Sequence, residues 1–203
     1  MTTAYNKFYI NGEWVQPAGR QTLDVINPAT EEAFATISMG TAQDVDAAAK
    51  AARAAFPAWS QSTVAQRLEV INKIISGIKS REDELALAIS NEMGAPLGFA
   101  KAAQVGSGMG HFMAIIPILE NFKFEEIRGT TKVIKEPAGV CGFITPWNWP
   151  LNQIACKVAP AIAAGCTIVL KPSEIAPVSA YILAEIIADS GLPAGVFNLV
   201  NGD

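Results

Sequence analysis

Half of the 203 residues are apolar, only 17% are charged, and the net charge is −4. A chain of this size can bury the core of one or two domains, and the scarcity of charge predicts surface that more chain or another subunit normally covers. The interspersed charges exclude a basic nucleic-acid footprint. The three cysteines form no CxxC pair, and with one histidine they exclude the familiar zinc-ligand patterns. We therefore expect the cysteines to be reduced, buried thiols.

The first forty residues predict short strands joined by turns. The opening segment shows no apolar signal core, so we expect a cytoplasmic rather than a secreted protein. Asn11-Gly12 lies between two β-prone runs and is the strongest short hairpin signal, because both turn residues need a positive φ. Asn27-Pro28 then turns the chain into a second extended segment, from Ala33 to Ser38.

The next segment predicts two helices. Thr41 with Asp44 three residues on resembles a capping box, and an alanine-rich sequence from Val45 to Ala55 follows it. In the second helix, apolar residues recur at steps of three or four, which predicts one buried face. That face consists of Val64, Leu68, Ile71, Ile75 and Ile78.

Two further helices are predicted before residue 120. One runs from about Glu82 to Met93 and ends at Gly94, a natural left-handed cap. The other covers about Phe99 to Ile116, with Pro117 disturbing its end. The glycine run at 106–110 has the spacing GxGxG instead of GxGxxG and follows a helical stretch, so we interpret it as close helix packing and not as a dinucleotide fingerprint.

The composition changes near Gly129. Thr131 to Lys135 alternates polar and apolar residues, as a half-exposed strand does. From residue 140 onward, strands alternate with helices, which predicts a parallel sheet with right-handed crossovers, half of a doubly wound nucleotide-binding domain. The predicted strands are Val140–Thr145, Thr167–Lys171 and Val196–Val200, and the predicted helices are about Leu151–Ala164, closed by Gly165, and Pro177–Asp189, closed by Gly191. The apolar run at 155–170 is broken by a lysine, a proline and a glycine, so we expect no membrane span there.

Polar groups directly follow two of these strands, at the edge where open parallel sheets bind ligands. Lys171 and Glu174 lie three residues apart at one strand end, where an ammonium can donate to sugar hydroxyls and a carboxylate can accept from two vicinal hydroxyls. The same spacing suits an ordinary surface ion pair, which stabilises little. The spacing alone leaves both interpretations open.

Two motifs carry a family resemblance. They are GVCGFITPWNWP at residues 139–150 and VLKPSE at residues 169–174, supported by INGEW at 10–14, APAIAAGC at 159–166 and GLPAGVFNLV at 191–200. Together they resemble the aldehyde dehydrogenase superfamily over essentially the whole chain. The resemblance implies an α/β protein in which an amino-terminal hairpin and helices precede part of a doubly wound, Rossmann-like parallel sheet, that is, an incomplete aldehyde dehydrogenase fold.

The resemblance also implies a domain organisation. Residues 1–127 match the amino-terminal part of the cofactor-binding domain, 128–136 an oligomerisation strand, and 137–203 the first βαβαβ part of the NAD-binding domain, while the catalytic domain is absent. Members of this superfamily are dimers or tetramers, so we expect a homo-oligomer when the protein is full length.

Site residues follow from the same resemblance. In the family, some residues line the cofactor cleft and others lie at the adenosine ribose. They match Ile144, Thr145, Pro146, Trp147, Lys171, Ser173 and Glu174 of this chain. The residue matching Asn148 donates its side-chain amide to the oxygen of the tetrahedral intermediate, although Asn148 could instead cap the helix near Leu151. Because a carboxylate at Glu174 would repel a 2′-phosphate, NAD is favoured, whereas Lys171 could tolerate that phosphate and leaves NADP possible.

The implied reaction is NAD(P)-dependent oxidation of a small-molecule aldehyde to a carboxylic acid. It needs a cysteine nucleophile and a glutamate that activates water. In the family both lie beyond residue 203, so we expect the chain alone to be inactive and assign no nucleophile among Cys141, Cys156 and Cys166. His111 falls where family members line an aldehyde tunnel, and ordinary helix packing is the safer interpretation for it.

We expect a fragment of such an enzyme, because the sequence stops at a strand edge without a terminal helix or polar tail. The alternative is a non-catalytic truncated product that binds nucleotide weakly or associates with full-length subunits.

Overall fold

The strands form three separate sheets in the computed structural model, which describes residues 2–203. Their bounds are β1 (Thr3–Tyr5), β2 (Phe8–Ile10), β3 (Glu13–Val15), β4 (Thr22–Asn27), β5 (Glu32–Ser38), β6 (Glu125–Arg128), β7 (Thr131–Ile134), β8 (Val140–Ile144), β9 (Thr167–Lys171) and β10 (Phe197–Leu199). The helices are α1 (Ala42–Ser60), α2 (Val64–Ser80), α3 (Glu82–Met93), α4 (Leu97–Phe99), a π-helical segment (Ala100–Val105), α5 (Gly106–Asn121), α6 (Pro150–Ala164) and α7 (Val178–Asp189). The predicted α/β class is confirmed.

The central sheet has five strands in the order β3-β2-β10-β9-β8. Strands β8, β9 and β10 run parallel, as the sequence predicts, whereas β2 pairs antiparallel with β10. The predicted hairpin at Asn11-Gly12 is confirmed, with φ of 54° and 82° at its two turn residues. The backbone amide of Asn11 donates to the side-chain oxygen Oδ1 of Asn198 at 2.9 Å, which fixes the hairpin to β10. Segments 1–127 and 137–203 therefore share one sheet.

The two faces of β9 bury different side chains, because alternate residues of a strand point to opposite faces. Ile168 and Leu170 belong to the main hydrophobic core, together with residues of α6 and α7. Val169 points the other way and packs against a smaller cluster that contains Ala48 of α1 and Val200. The sheet is thus covered on both faces, as a doubly wound sheet requires.

Helix α1 begins at the predicted cap. Asp44 Oδ2 accepts from the Thr41 amide at 2.8 Å, and Asp44 Oδ1 accepts from the Ala18 amide at 2.8 Å. The carboxylate therefore joins the start of the helix to the loop that precedes β4. The third helix ends at Gly94 with φ of 77°, also as predicted.

The buried face of α2 differs from the predicted one. Ile71 and Ile78 are fully buried, but Val64, Leu68 and Ile75 are only partly buried. The stripe that faces the core consists of Arg67, Val70, Ile71, Ile74 and Ile78. Arg67 escaped prediction because an apolar pattern counts arginine as polar, whereas here its guanidinium donates to Ser60 O and Ala163 O, both at 3.0 Å.

The fourth predicted helix is longer than expected. Its helical run extends from Leu97 to Asn121, and Pro117 lies inside it rather than at its end. A proline within a helix lacks the backbone donor for the carbonyl four residues earlier. The carbonyl of Pro117 itself accepts from the Asn121 side chain at 2.8 Å. Within the glycine run, Gly108 confirms close packing, since a Cβ there would lie 2.7 Å from Leu151 Cγ, whereas Gly106 and Gly110 face open space.

By length and composition alone, the run Leu97–Asn121 is apolar enough to cross a membrane, and 28% of its most apolar window is buried. Core helices of globular proteins meet the same two criteria. Here α5 packs against α2 and α6.

Residues 125–134 form a two-stranded hairpin, β6–β7, rather than the single strand predicted from Thr131 to Lys135. Its turn contains Gly129 with φ of 63°. Ile127 and Ile134 are 70% and 55% exposed, and no third strand pairs with the hairpin among residues 2–203.

Candidate functional site

The carboxyl ends of β8, β9 and β10 adjoin at one edge of the central sheet. Ile144 is in register with Lys171, and the Thr145 amide donates to the Lys171 carbonyl at 3.1 Å. On the other side of β9, the Val200 amide donates to the Leu170 carbonyl at 3.0 Å. The parallel pairing thus brings together site residues that the sequence predicts from two separate motifs.

Lys171 is held by two acceptors. Its ammonium donates to Glu174 Oε2 at 3.0 Å and to the Gly202 carbonyl at 2.7 Å. An ammonium has three donors, so one remains for a ligand, and Glu174 likewise retains its Oε1 oxygen. The pair therefore offers one donor and one acceptor side by side.

Glu174 is ionised at neutral pH. Partial burial acts to raise its pKa, but its own backbone amide and the Lys171 ammonium outweigh that effect and hold the pKa below its usual value. Its side chain is 30% exposed, so a ligand in solvent can reach it.

The loop that carries Glu174 is a tight turn. The Ile175 amide donates to Ser173 Oγ at 3.3 Å, and the Ala176 amide donates to the Ser173 carbonyl at 3.2 Å. Ser173 is buried and its hydroxyl serves this turn. Its predicted place beside the adenosine ribose stays a prediction.

Thr145 holds a buried polar atom that lacks a partner. Its side chain is 3% exposed, and its hydroxyl makes no hydrogen bond with any residue from 2 to 203. A buried hydroxyl without a partner destabilises a protein by about 1–3 kcal/mol. This unpaired hydroxyl belongs to the residue that follows β8 and bonds through its backbone to Lys171, so it fits a site for a polar ligand, such as a dinucleotide, at this end of the sheet.

The other site residues predicted from the first motif lie on the surface. Ile144 is 77% exposed and Trp147 is 49% exposed, and Pro146 and Asn148 are exposed as well. They form a partly apolar rim next to the polar pair. A nucleotide has both an apolar base and polar hydroxyls, which suits such a rim.

Asn148 does not cap the following helix. Helix α6 begins at Pro150, and its cap position is Trp149, which has φ of 56° and gives no side-chain cap bond. The Trp149 ring meets Phe99 edge-on at 5.5 Å. The capping alternative for Asn148 is therefore wrong, and its exposed amide remains available for another partner.

The three cysteines are free thiols in different surroundings. Cys166 is buried, whereas Cys141 and Cys156 are half-buried, contrary to the expectation that all three are buried. The strand β8 that carries Cys141 has no neighbour on its outer side within the described chain, so its outer edge is open. Burial and the neighbouring Cys166 thiol raise the pKa of Cys141 to about 11, which keeps it protonated and poorly nucleophilic at neutral pH.

His111 takes part in helix packing. Its Nε2 lies 3.0 Å from Asn152 Nδ2, which joins α5 to α6. This contact agrees with the packing interpretation of the sequence.

One buried carboxylate near the site was missed by the sequence analysis. Glu92 on α3 accepts from the Val178 amide at 2.6 Å and from the Ser179 amide at 3.3 Å, at the start of α7. The only signal in the sequence is indirect: Pro177 precedes α7 where a capping residue is usual.

The whole chain is similar to known aldehyde dehydrogenases. Residues 14–203 match the aldehyde dehydrogenase family. A 3-succinoylsemialdehyde-pyridine dehydrogenase from a Pseudomonas species is 58% identical over 200 residues, which are 98% of this chain and 42% of that protein. The chain thus spans about 42% of the length of this curated relative.

Solved structures give the same result. Aldehyde dehydrogenase from Bartonella henselae superposes with a TM-score of 0.97 at 47% identity, over 100% of this chain and 43% of that one. A mutant of aldehyde dehydrogenase C from Pseudomonas syringae, complexed with NAD+ and octanal, superposes with a TM-score of 0.96 at 52% identity, over 98% of this chain and 41% of that one. With the family matched from residue 14 to residue 203 and the fold shared along its whole length, this chain belongs to the aldehyde dehydrogenase family.

Proposed function

We propose that this chain forms the adenosine-ribose part of the NAD site in an enzyme that oxidises an aldehyde to a carboxylic acid. The observation that carries the proposal is the Lys171–Glu174 pair, with its spare donor and spare acceptor at the carboxyl edge of a parallel sheet. The relative from Pseudomonas syringae was solved with NAD+ and octanal, which supports this cofactor and this substrate class. When bound, NAD supplies the hydride acceptor of the reaction.

NAD is preferred to NADP in this proposal. The Glu174 carboxylate is ionised, and an ionised carboxylate that accepts from ribose hydroxyls repels a 2′-phosphate. The spare donor of Lys171 reduces that repulsion without removing it, because the ammonium is already shared with Glu174 and Gly202.

Asn148 is the proposed donor to the oxygen of the tetrahedral intermediate. Its side chain is exposed just beyond the end of β8, and it makes no hydrogen bond to the start of α6 or to any other residue from 2 to 203. A neutral amide held in place before the reaction stabilises negative charge that develops only as a nucleophile adds.

The β6–β7 hairpin is the proposed contact between copies of the protein. Ile127 and Ile134 expose apolar surface on a two-stranded ribbon, and an isolated hairpin of this kind is marginal without a further partner. The sequence resemblance implies an oligomerisation strand at the same place.

The test of the cofactor site is the affinity of the chain for NAD and NADP, measured by isothermal titration calorimetry. We expect the wild-type chain to bind NAD more tightly, and Glu174→Gln to weaken NAD binding while shifting the NAD-to-NADP preference by about tenfold toward NADP. Glu69→Gln is the control, because Glu69 forms a similar pair with Lys73 on the exposed face of α2. Equal affinities of the wild-type chain for both nucleotides would contradict the assignment.

A further inference from the structure

Glu92 is the most deeply buried carboxylate near the candidate site. Its side chain is 1% exposed, and the structure places no cation beside it: its bonds go to the backbone amides of Val178 and Ser179. A buried carboxylate is retained only where specific hydrogen bonds offset its loss of water. Both of these bonds are to the first turn of α7.

Helix α7 has no cap of its own. The residue at its cap position is Pro177, which has no side-chain acceptor, and the first turn contains no acidic residue. The first amides of a helix need an acceptor from outside the helix. Glu92 supplies it from α3, 86 residues away in the sequence.

The loop that precedes α7 is the loop of the candidate site. It runs from Pro172 to Pro177 and has prolines at both ends. Within the loop, the hydrogen bonds are short-range and centred on Ser173. At the strand end, the Lys171 ammonium holds the loop through its bond to Glu174. Glu92 therefore anchors the far end of the loop, four residues after Glu174.

We propose that Glu92 is a positioning residue, which holds the 172–177 loop through the first turn of α7 so that the Glu174 carboxylate faces the cofactor ribose. Glu92 itself touches no ligand in this arrangement. The inference rests on the proposed function for the ribose contact, whereas the anchoring of the loop can be measured without any nucleotide.

The first measurement is amide hydrogen exchange of the unliganded chain. In Glu92→Met we expect the amides of Ile175, Ala176, Val178 and Ser179 to exchange at least about tenfold faster, while amides of α2 do not change. In Glu92→Gln we expect a smaller increase at the same amides, because the glutamine keeps one acceptor oxygen. Glu92→Met keeps a similar side-chain length but leaves both amides without an acceptor, whereas Glu92→Gln keeps one acceptor oxygen and so preserves global stability better. Unchanged exchange at these four amides in both variants would overturn the proposal.

The second measurement is the ratio of affinities for NAD and for its analogue without the adenosine 2′-hydroxyl. In the wild-type chain we expect this ratio to exceed one, and in both Glu92 variants we expect it to fall toward one. Ile74→Val, which loosens the core in α2, is the control for general destabilisation and should keep the wild-type ratio.

The two measurements separate the possible failures. If the amides of the Glu92 variants exchange faster but the affinity ratio of these variants equals that of the wild type, Glu92 holds α7 without positioning the ribose contact. That result would overturn the proposal. A wild-type ratio of one would contradict the ribose assignment of Glu174, and the exchange experiment would still decide whether Glu92 anchors the loop.

Discussion

The Lys171 ammonium lies 2.7 Å from the Gly202 carbonyl oxygen, so the last residue of β9 is held by the segment that follows β10. With Glu174 at 3.0 Å on its other side, the ammonium is fixed between two neighbouring parts of the sheet edge. A flexible lysine that is ordered before ligand binding loses less conformational entropy when the ligand arrives.

Removing that ammonium should weaken cofactor binding. We expect Lys171→Met, which keeps the unbranched apolar stem and removes the ammonium, to lower the affinity for NAD by about tenfold, since one charge-assisted donor and the orientation of Glu174 are lost together. Calorimetric titration measures this. The control is Lys73→Met, which breaks the exposed Lys73–Glu69 pair and should leave NAD affinity unchanged; a similar loss in both variants would refute a specific role for Lys171.

Arg67 should be important for stability. Its guanidinium donates to two backbone carbonyls, of Ser60 and Ala163, and to Ser62 Oγ at 2.8 Å. We expect Arg67→Ala to lower the free energy of unfolding by about 3 kcal/mol, because one buried and two partly buried acceptors lose their donors. Urea unfolding of this variant and of Arg53→Ala, whose guanidinium lies 5.7 Å from the Phe56 ring centroid, tests it. Equal losses in the two variants would show that the buried bonds contribute little.

Gly108 and Gly110 form a matched pair within one helix. A Cβ at Gly108 would lie 2.7 Å from Leu151 Cγ, whereas at Gly110 it would meet nothing within 4 Å. We expect Gly110→Ala to stabilise the chain by about 0.5–1 kcal/mol through helix propensity, and Gly108→Ala to be less stable than Gly110→Ala by about 1–3 kcal/mol. Thermal unfolding of both variants measures the difference. Equal melting temperatures would mean that Leu151 moves aside freely.

The titration of Glu92 should be visible in the pH dependence of stability. Burial raises the pKa of Glu92 to about 7 from an ordinary value of 4.5, and the amides of Val178 and Ser179 oppose that rise. The folded chain therefore binds this proton more tightly than the unfolded chain does. The stability it contributes is complete below about pH 4.5 and is lost as the pH rises through about 7.

Glu92→Gln removes this titration. As the pH rises from about 5 to about 8, the free energy of unfolding of the wild type should therefore fall by roughly 3 kcal/mol relative to that of the variant. Urea unfolding at a series of pH values measures the difference. Parallel pH curves for the two proteins would contradict a raised pKa.

Local signals in the sequence predicted most of the elements. The Asn11-Gly12 turn, the Gly94 cap and the strand from Thr167 to Lys171 depend on backbone preferences and apolar patterns within a few residues, and all three are confirmed. Lys171 and Glu174 could be placed at a strand end for the same reason. Their position beside Thr145 follows from the parallel pairing that the pattern also predicted.

The features that escaped prediction depend on distant partners. Arg67 is buried because carbonyls at two helix ends accept from it, and Glu92 is buried because α7 lacks a cap. Neither reason can be found in the neighbouring sequence. The pairing of β2 with β10 is likewise a contact between the two ends of the described chain, and no periodicity encodes it.

That pairing sets an order of events during translation. Tyr9 is in register with Leu199, and the Asn11–Asn198 bond joins residues 187 positions apart, so the ribosome must make almost all of this segment before the sheet can close. Until then the Phe8–Ile10 strand, which is fully buried in the finished fold, has no neighbour on that side. A nascent chain therefore carries an unpaired apolar strand edge until residue 199 has been made, and this edge is where chaperones, or other unfinished chains, would bind first.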